Sequence, residues 1–181
     1  MDVFNDKTAL LITDMIHDFI DENGALHVPG AQAIVPRIAE LASEARAAGA
    51  HVIYVNDTHD LDDSEFEMWP EHAVRGSQGS AIIKGLEPEE GDHVIEKTRY
   101  SGFFETRLDE LLKRLGVNHV VITGTVTNIC VLSTATDASM RGYMVSVPAD
   151  AVAAFTTEDQ EFTFKQVEKV LGGRVIPEKE G

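Results

Sequence analysis

Residues 119–142, HVVITGTVTNICVLSTATDASMRG, carry the pattern that decides the fold. His119-Val120-Val121-Ile122 is an apolar, β-branched run without polar alternation, as expected of a strand buried on both faces. Gly124 permits a sharp exit from that strand. The chain then resumes at Thr127 and Asn128, residue types that cap helices, and the helical stretch stops at Gly142. Strand, tight turn and helix make half of a parallel crossover unit. The same grammar recurs in both directions along the chain.

Comparable runs are Ala9–Ile12, His51–Val55, His93–Ile95, Tyr143–Val147 and the short Arg174–Ile176. Helical segments lie between them. Pro36 suits a first helical position, and residues 38–49, IAELASEARAAG, keep helical spacing until Gly49. Residues 106–116, TRLDELLKRLG, offer Thr106 as N-cap and Gly116 as terminator, and a last helix spans about Glu158 to Leu171. Buried strands alternating with helices predict an α/β fold: a three-layer sandwich, with a six-stranded parallel sheet and helices on both faces. No repeat, low-complexity tract or linker divides the chain, so residues 1–181 read as one domain. Between Asp57 and roughly Leu86 neither period is visible. An irregular stretch of that length in a compact domain usually serves function.

Composition sets the bounds. With 43% apolar and 7% aromatic residues the chain can bury a core. Its 15 basic and 31 acidic residues give a formal charge of -16, which repels phosphate backbones and anionic lipid, so neither nucleic acid nor membrane is an expected partner. The single cysteine excludes an internal disulfide framework. MDVFNDKTALLITD lacks a basic signal-peptide region, and no apolar run approaches the roughly 20 residues that cross a bilayer. A cytoplasmic location is the expectation.

In an open α/β sheet, ligands bind beyond the carboxyl ends of the strands. Asp14 ends the first apolar run, Asp57 and His59 the second and Lys97 the third, while Cys130 follows the fourth across its turn. Singly, each has an ordinary reading: a cap, a solvated charge, a small core thiol. Delivery of all of them to one edge is not something packing requires. A thiol at a helix start, with Lys97 near, should have a lowered pKa. Unpaired backbone N–H groups of the turn could form an oxyanion hole, and Asp14 could relay a proton from thiol to leaving amine. Asp57 and His59, spaced so that both side chains reach one ion, together with Glu65 and His72 could hold Zn²⁺, Fe²⁺ or Mn²⁺. Hydrophilic loop residues without metal are the alternative.

These segments resemble the isochorismatase-like cysteine hydrolases, and within them the nicotinamidase/pyrazinamidase branch. The matching stretches are ALLITDMIHDFI (9–20), VIYVNDTHD (52–60), WPEHAVRGSQGS (69–80), IEKTRYSGFFET (95–106) and GTVTNICVLSTATDA (124–138), in the family order. The resemblance implies a six-stranded sheet, a catalytic triad of Asp14, Lys97 and Cys130, and a cis peptide between Thr125 and Val126. It also implies oxyanion donors in the amides of Val126 and Cys130. Isochorismatases that cleave a vinyl ether lack the cysteine, so Cys130 points away from that chemistry. The nicotinamidase branch adds a metal on Asp57, His59 and His72, with Glu65 like the extra carboxylate of some members. Phe19, Trp69 and Tyr100 match positions lining the ring pocket. Thr58 and Ala73 depart from the branch's usual aromatic and cysteine. The activity implied is hydrolysis of a small aromatic amide, nicotinamide, by a thioester route in NAD salvage, in a chain that self-associates. The alternatives are a sister amidase for carbamoyl or ureido compounds and a catalytically silent ligand-binding module.

Overall fold

The structure, a computed structural model, describes residues 3–178. Its elements in chain order are β1 (Thr8–Thr13), α1 (His17–Ile20), α2 (Ala31–Ala47), β2 (His51–Asp57), β3 (His93–Lys97), α3 (Leu108–Arg114), β4 (His119–Thr125), α4 (Leu132–Met140), β5 (Met144–Pro148), β6 (Val152–Ala153), α5 (Thr157–Lys169) and β7 (Arg174–Ile176). The strands form one parallel sheet in the order β3-β2-β1-β4-β5-β7. β6 is a seventh strand beyond the six expected. It pairs only Gly124 with Val152 and Thr125 with Ala153, so it is too short to carry a periodic signal.

Alternate residues of the central strands face opposite layers. Leu10, Ile12, Val52, Tyr54 and Val121 pack with Ile34, Ile38 and Leu41 of α2. Leu11, Ile53, Val55, Val120 and Ile122 pack with Leu108 and Leu112 of α3, Ala135 and Ala138 of α4, and Val167 of α5. Burying each large aliphatic side chain is worth about 1.5–3 kcal/mol, so both faces must be covered. That explains the unalternating apolar runs.

The structure departs from local sequence cues at three places. α2 starts at Ala31, behind Gly30 at φ 77, and Pro36 lies inside it rather than at its start. Ala31, Ile34, Val35 and Ile38 are buried on one stripe, which outweighs the one hydrogen bond that Pro36 cannot donate. Arg107, not Thr106, holds the N-cap position of α3 and makes no side-chain cap, while the Thr106 hydroxyl accepts the Leu108 amide at 3.2 Å. α4 is entered through a π-helical turn, Thr127–Val131, and neither Thr127 nor Asn128 caps it. The amides of Ile129 and Val131 turn instead to the Val126 carbonyl, at 3.0 and 3.2 Å. Residues 58–86 hold one 3-10 turn, Ser64–Glu67, and two isolated bridges, His59 to Val74 and Ile16 to Ile82.

Candidate active site

β1 and β4 run so close that a Cβ on Gly124 would stand 1.9 Å from the Thr13 carbonyl oxygen. Gly124 also has φ 102, which only glycine adopts without strain. This contact sets the floor of the site. Asp14, next along the chain from β1, is fully buried with φ 52, a left-handed conformation that aspartate tolerates better than most residues. Its Oδ1 accepts the Asp57 amide at 2.7 Å. Lys97, last in β3 and 1% exposed, puts Nζ 2.9 Å from Asp14 Oδ2, in contact with Asp57 Oδ1 and 3.5 Å from Cys130 Sγ. The Thr125–Val126 peptide is cis, and the Thr125 hydroxyl donates to the Asp14 carbonyl at 3.0 Å.

Electrostatics follow from this packing. Burial and the neighbouring Asp57 push Asp14 up from 3.8 to about 6, against the pull of Lys97. Burial disfavours the Lys97 ammonium, but Asp14 and Asp57 outweigh it and hold Lys97 well above its ordinary value. Burial also pushes the Cys130 thiol well up; Lys97 opposes this, while Asp14 and Asp57 reinforce it. The expectation of a lowered thiol pKa is therefore corrected. Lys97 spends its charge on two carboxylates, and the regular helix start that would supply a dipole is a π-helical turn.

Asp57, His59 and His72 are all buried and offer ligand atoms within 4.8 Å of one another. The two imidazoles present Nε2 to different oxygens of Asp57, each at 3.9 Å. Their Nδ1 atoms are anchored from behind, His59 on Asp63 Oδ2 at 3.0 Å and His72 on the Pro70 carbonyl at 2.8 Å. That outer bonding fixes tautomer and ring orientation in metal sites. His59 Nε2 is buried without a hydrogen-bond partner, which an ion at this position would satisfy. The residues thus fit a divalent transition metal. Burial holds His72 below its ordinary pKa, in the neutral form a ligand needs.

Glu65 stands outside this three-residue cluster. Its carboxylate lies 3.6 Å from Arg99 and faces the same pocket as Asp57 and His72. The pocket spans about 310 Å³, open solvent at its mouth included. The structure brings Phe19, Trp69 and Tyr100 to its lining, together with Val126 and Cys130. Trp69 Nε1 donates to the Tyr100 hydroxyl at 3.1 Å, and Phe19 meets the His72 ring edge-on at 5.7 Å. Leu26, Ile129 and Phe155 also line it; nothing in their type or spacing marks them in the sequence. Asp63 is a further member that sequence reasoning missed, although its place four residues after His59 in an acidic stretch is a usable signal.

A parallel sheet carrying a buried aspartate, lysine and cysteine at its strand ends defines a hydrolase class, and comparison with known proteins agrees. The isochorismatase domain matches residues 8–178, and the chain belongs to that family of hydrolases. It is 38% identical over 163 residues to a probable inactive nicotinamidase of Arabidopsis thaliana, covering 84% of this chain and 83% of that one. The crystal structure of N-carbamoylsarcosine amidase from Thermoplasma acidophilum is 39% identical with a TM-score of 0.87, covering 97% of this chain and 99% of that one. Pyrazinamidase of Pyrococcus horikoshii, in complex with zinc, is 31% identical with a TM-score of 0.89, covering 95% of this chain and 99% of that one. No helix among the described residues is long and apolar enough to cross a membrane.

Proposed function

We propose that this chain is a nicotinamidase, hydrolysing nicotinamide to nicotinate and ammonia through a thioester on Cys130, as a step of NAD salvage. The observation that carries the reading is the pocket. Cys130, Asp57 and His72 of the ligand cluster, and aromatic side chains all line one small space. Among the described residues no lysine or arginine lines it. A flat, uncharged amide fits such a lining, stacked between aromatic faces.

Asp14, with a pKa of about 6, is ionised at neutral pH and accepts the Cys130 proton as sulfur attacks the carboxamide carbon. The amides of Val126 and Cys130 hold the developing oxyanion. Lys97 keeps the Asp14 carboxylate beside the thiol. Asp14 then protonates the departing ammonia and, as base again, activates the water that opens the thioester. A zinc, iron or manganese ion on Asp57, His59 and His72 would orient the pyridine and draw electron density from it.

The second reading is an amidase for carbamoyl or ureido compounds, favoured by the 39% identity to N-carbamoylsarcosine amidase. Such substrates bear a carboxylate, and this pocket presents Asp57 and Glu65 to it. The third, a silent module, is favoured by the Arabidopsis relative described as inactive but not by the intact Asp14–Lys97–Cys130 cluster. Ammonia release over nicotinamide, pyrazinamide, benzamide and N-carbamoylsarcosine decides among them. Nicotinamide should show the highest kcat/KM. Preference for the carbamoyl acid, or no turnover of any amide, sinks the proposal.

A further inference from the structure

One half-buried carboxylate near the site takes no part in the proposed chemistry. Asp18 lies in α1, at a junction of three segments. Its amide donates to the Gly79 carbonyl at 3.0 Å, its carbonyl accepts the Leu26 amide at 3.0 Å, and Oδ1 accepts the Ala25 amide at 3.3 Å. Oδ2 accepts the amide of Ala73 at 2.8 Å. Ala73 directly follows His72 and is fully buried with φ 46, a conformation that alanine does not hold unaided. The Ala73 carbonyl in turn accepts the His59 amide at 3.0 Å. Asp18 is thus one hydrogen bond from the residue that joins both imidazoles. Its neighbour in sequence, Phe19, touches the His72 ring. Room for the carboxylate exists only because residue 79 is glycine: a Cβ there would stand 2.0 Å from Asp18 Oδ2.

We propose that Asp18 is a positioning residue for the metal. By holding the Ala73 amide, its carboxylate fixes the backbone from which His72 projects and against which His59 is registered. This rests on the reading of Asp57, His59 and His72 as metal ligands. A carboxylate accepts a backbone N–H through a charge-assisted bond, stronger than a neutral one, and it stabilises the left-handed Ala73. Without it, residues 72–73 relax toward ordinary backbone and Nε2 of His72 leaves the common point. Outer-sphere anchors of this kind typically change metal affinity by about 10–100-fold.

Two variants test this without touching a ligand. Asp18→Ala removes the acceptor; Gly79→Ala leaves Asp18 in place and pushes its carboxylate off the Ala73 amide. Zn²⁺ affinity is measured for the full chain by competition with a colorimetric chelator, and iodoacetamide alkylation of Cys130 is followed in parallel. Both variants should lose about 10–100-fold in Zn²⁺ affinity with the alkylation rate unchanged. Asp18→Asn, which keeps one carbonyl acceptor, should fall between them and wild type. A general structural role would move alkylation and affinity together. Should Asp18→Ala not fold, Gly79→Ala still decides. Folded variants binding Zn²⁺ as wild type does overturn the inference alone. A wild-type chain that takes up no stoichiometric Zn²⁺ overturns the metal site, and this inference with it.

Discussion

Asp14 should make the fold less stable as pH rises through its own titration, and Asp14→Asn should remove that dependence. The carboxyl is fully buried and moves from 3.8 to about 6 on folding. The folded chain therefore holds this proton more tightly than the unfolded chain does. Its stabilising contribution is complete below about pH 4 and is lost as pH climbs through about 6. That rise, at about 1.36 kcal/mol per pH unit, amounts to about 3 kcal/mol. It is a large share of a typical domain stability of about 5–15 kcal/mol. In Asp14→Asn the neutral amide still accepts the Asp57 N–H, while its NH₂ faces Lys97 poorly. The second effect is an offset that does not vary with pH. His59 and His72 titrate in both proteins and cancel in the difference. Urea unfolding, followed by the fluorescence of Trp69, the single tryptophan, should be run with chelator from about pH 4.5 to about pH 7.5. The stability of the variant relative to wild type should rise across that range by about 2 kcal/mol, the remainder having been lost below it. A difference that stays constant would show that Asp14 is not raised, and would leave the proposed base without its near-neutral pKa.

The same carboxyl should set the acid limb of catalysis, with kcat/KM for nicotinamide falling about tenfold per unit below about pH 6; a profile flat to about pH 5 refutes that assignment. Cys130→Ala should lower ammonia release by several orders of magnitude while its metal content, read by elemental analysis, stays that of wild type. Retention of even about a tenth of the activity would exclude the thioester route. Gly124→Ala should destabilise the fold by more than about 4 kcal/mol, since its Cβ would meet the Thr13 backbone rather than a yielding side chain. A thermal midpoint within about 2 °C of wild type would show that β1 and β4 can separate cheaply.

The layers of this fold are legible in the sequence because both faces of the sheet are covered at its centre, which writes β1, β2 and β4 as largely unbroken apolar runs. Capping details are less so. Pro36 reads as a helix start on local chemistry alone, but the buried stripe from Ala31 to Ile38 extends the helix past it, and that stripe depends on the sheet beneath. Likewise Thr127 and Asn128 have the side chains of a cap, and the close approach of β4 to β1 sends the chain through a wider turn in which those side chains do not cap. Strand ends and motifs place most of the site residues. They do not give the charge states, because desolvation depends on what surrounds a group in space.

Asp57 shows why. From spacing it belongs with His59, as one ligand of a loop. In the sheet, β2 and β3 pair in parallel with Asp57 directly beside Lys97. Its Oδ1 is thereby committed to the ammonium, its amide to Asp14, and both oxygens stand 3.9 Å from an imidazole nitrogen. Two buried carboxylates then share one lysine, so until an ion binds the local charge is negative before the thiol ionises at all. Burial, reinforced by that excess, keeps the Cys130 proton on sulfur at rest, despite a cation 3.5 Å away. It also makes Asp14 a better base than an ordinary aspartate, because the charge it sheds on protonation is one the cluster holds at a disadvantage. In the proposed mechanism the nucleophile is accordingly generated during attack, by transfer to Asp14, rather than stored as a thiolate. Slow alkylation of Cys130 by iodoacetamide at neutral pH, alongside rapid turnover of substrate, is the behaviour this arrangement requires.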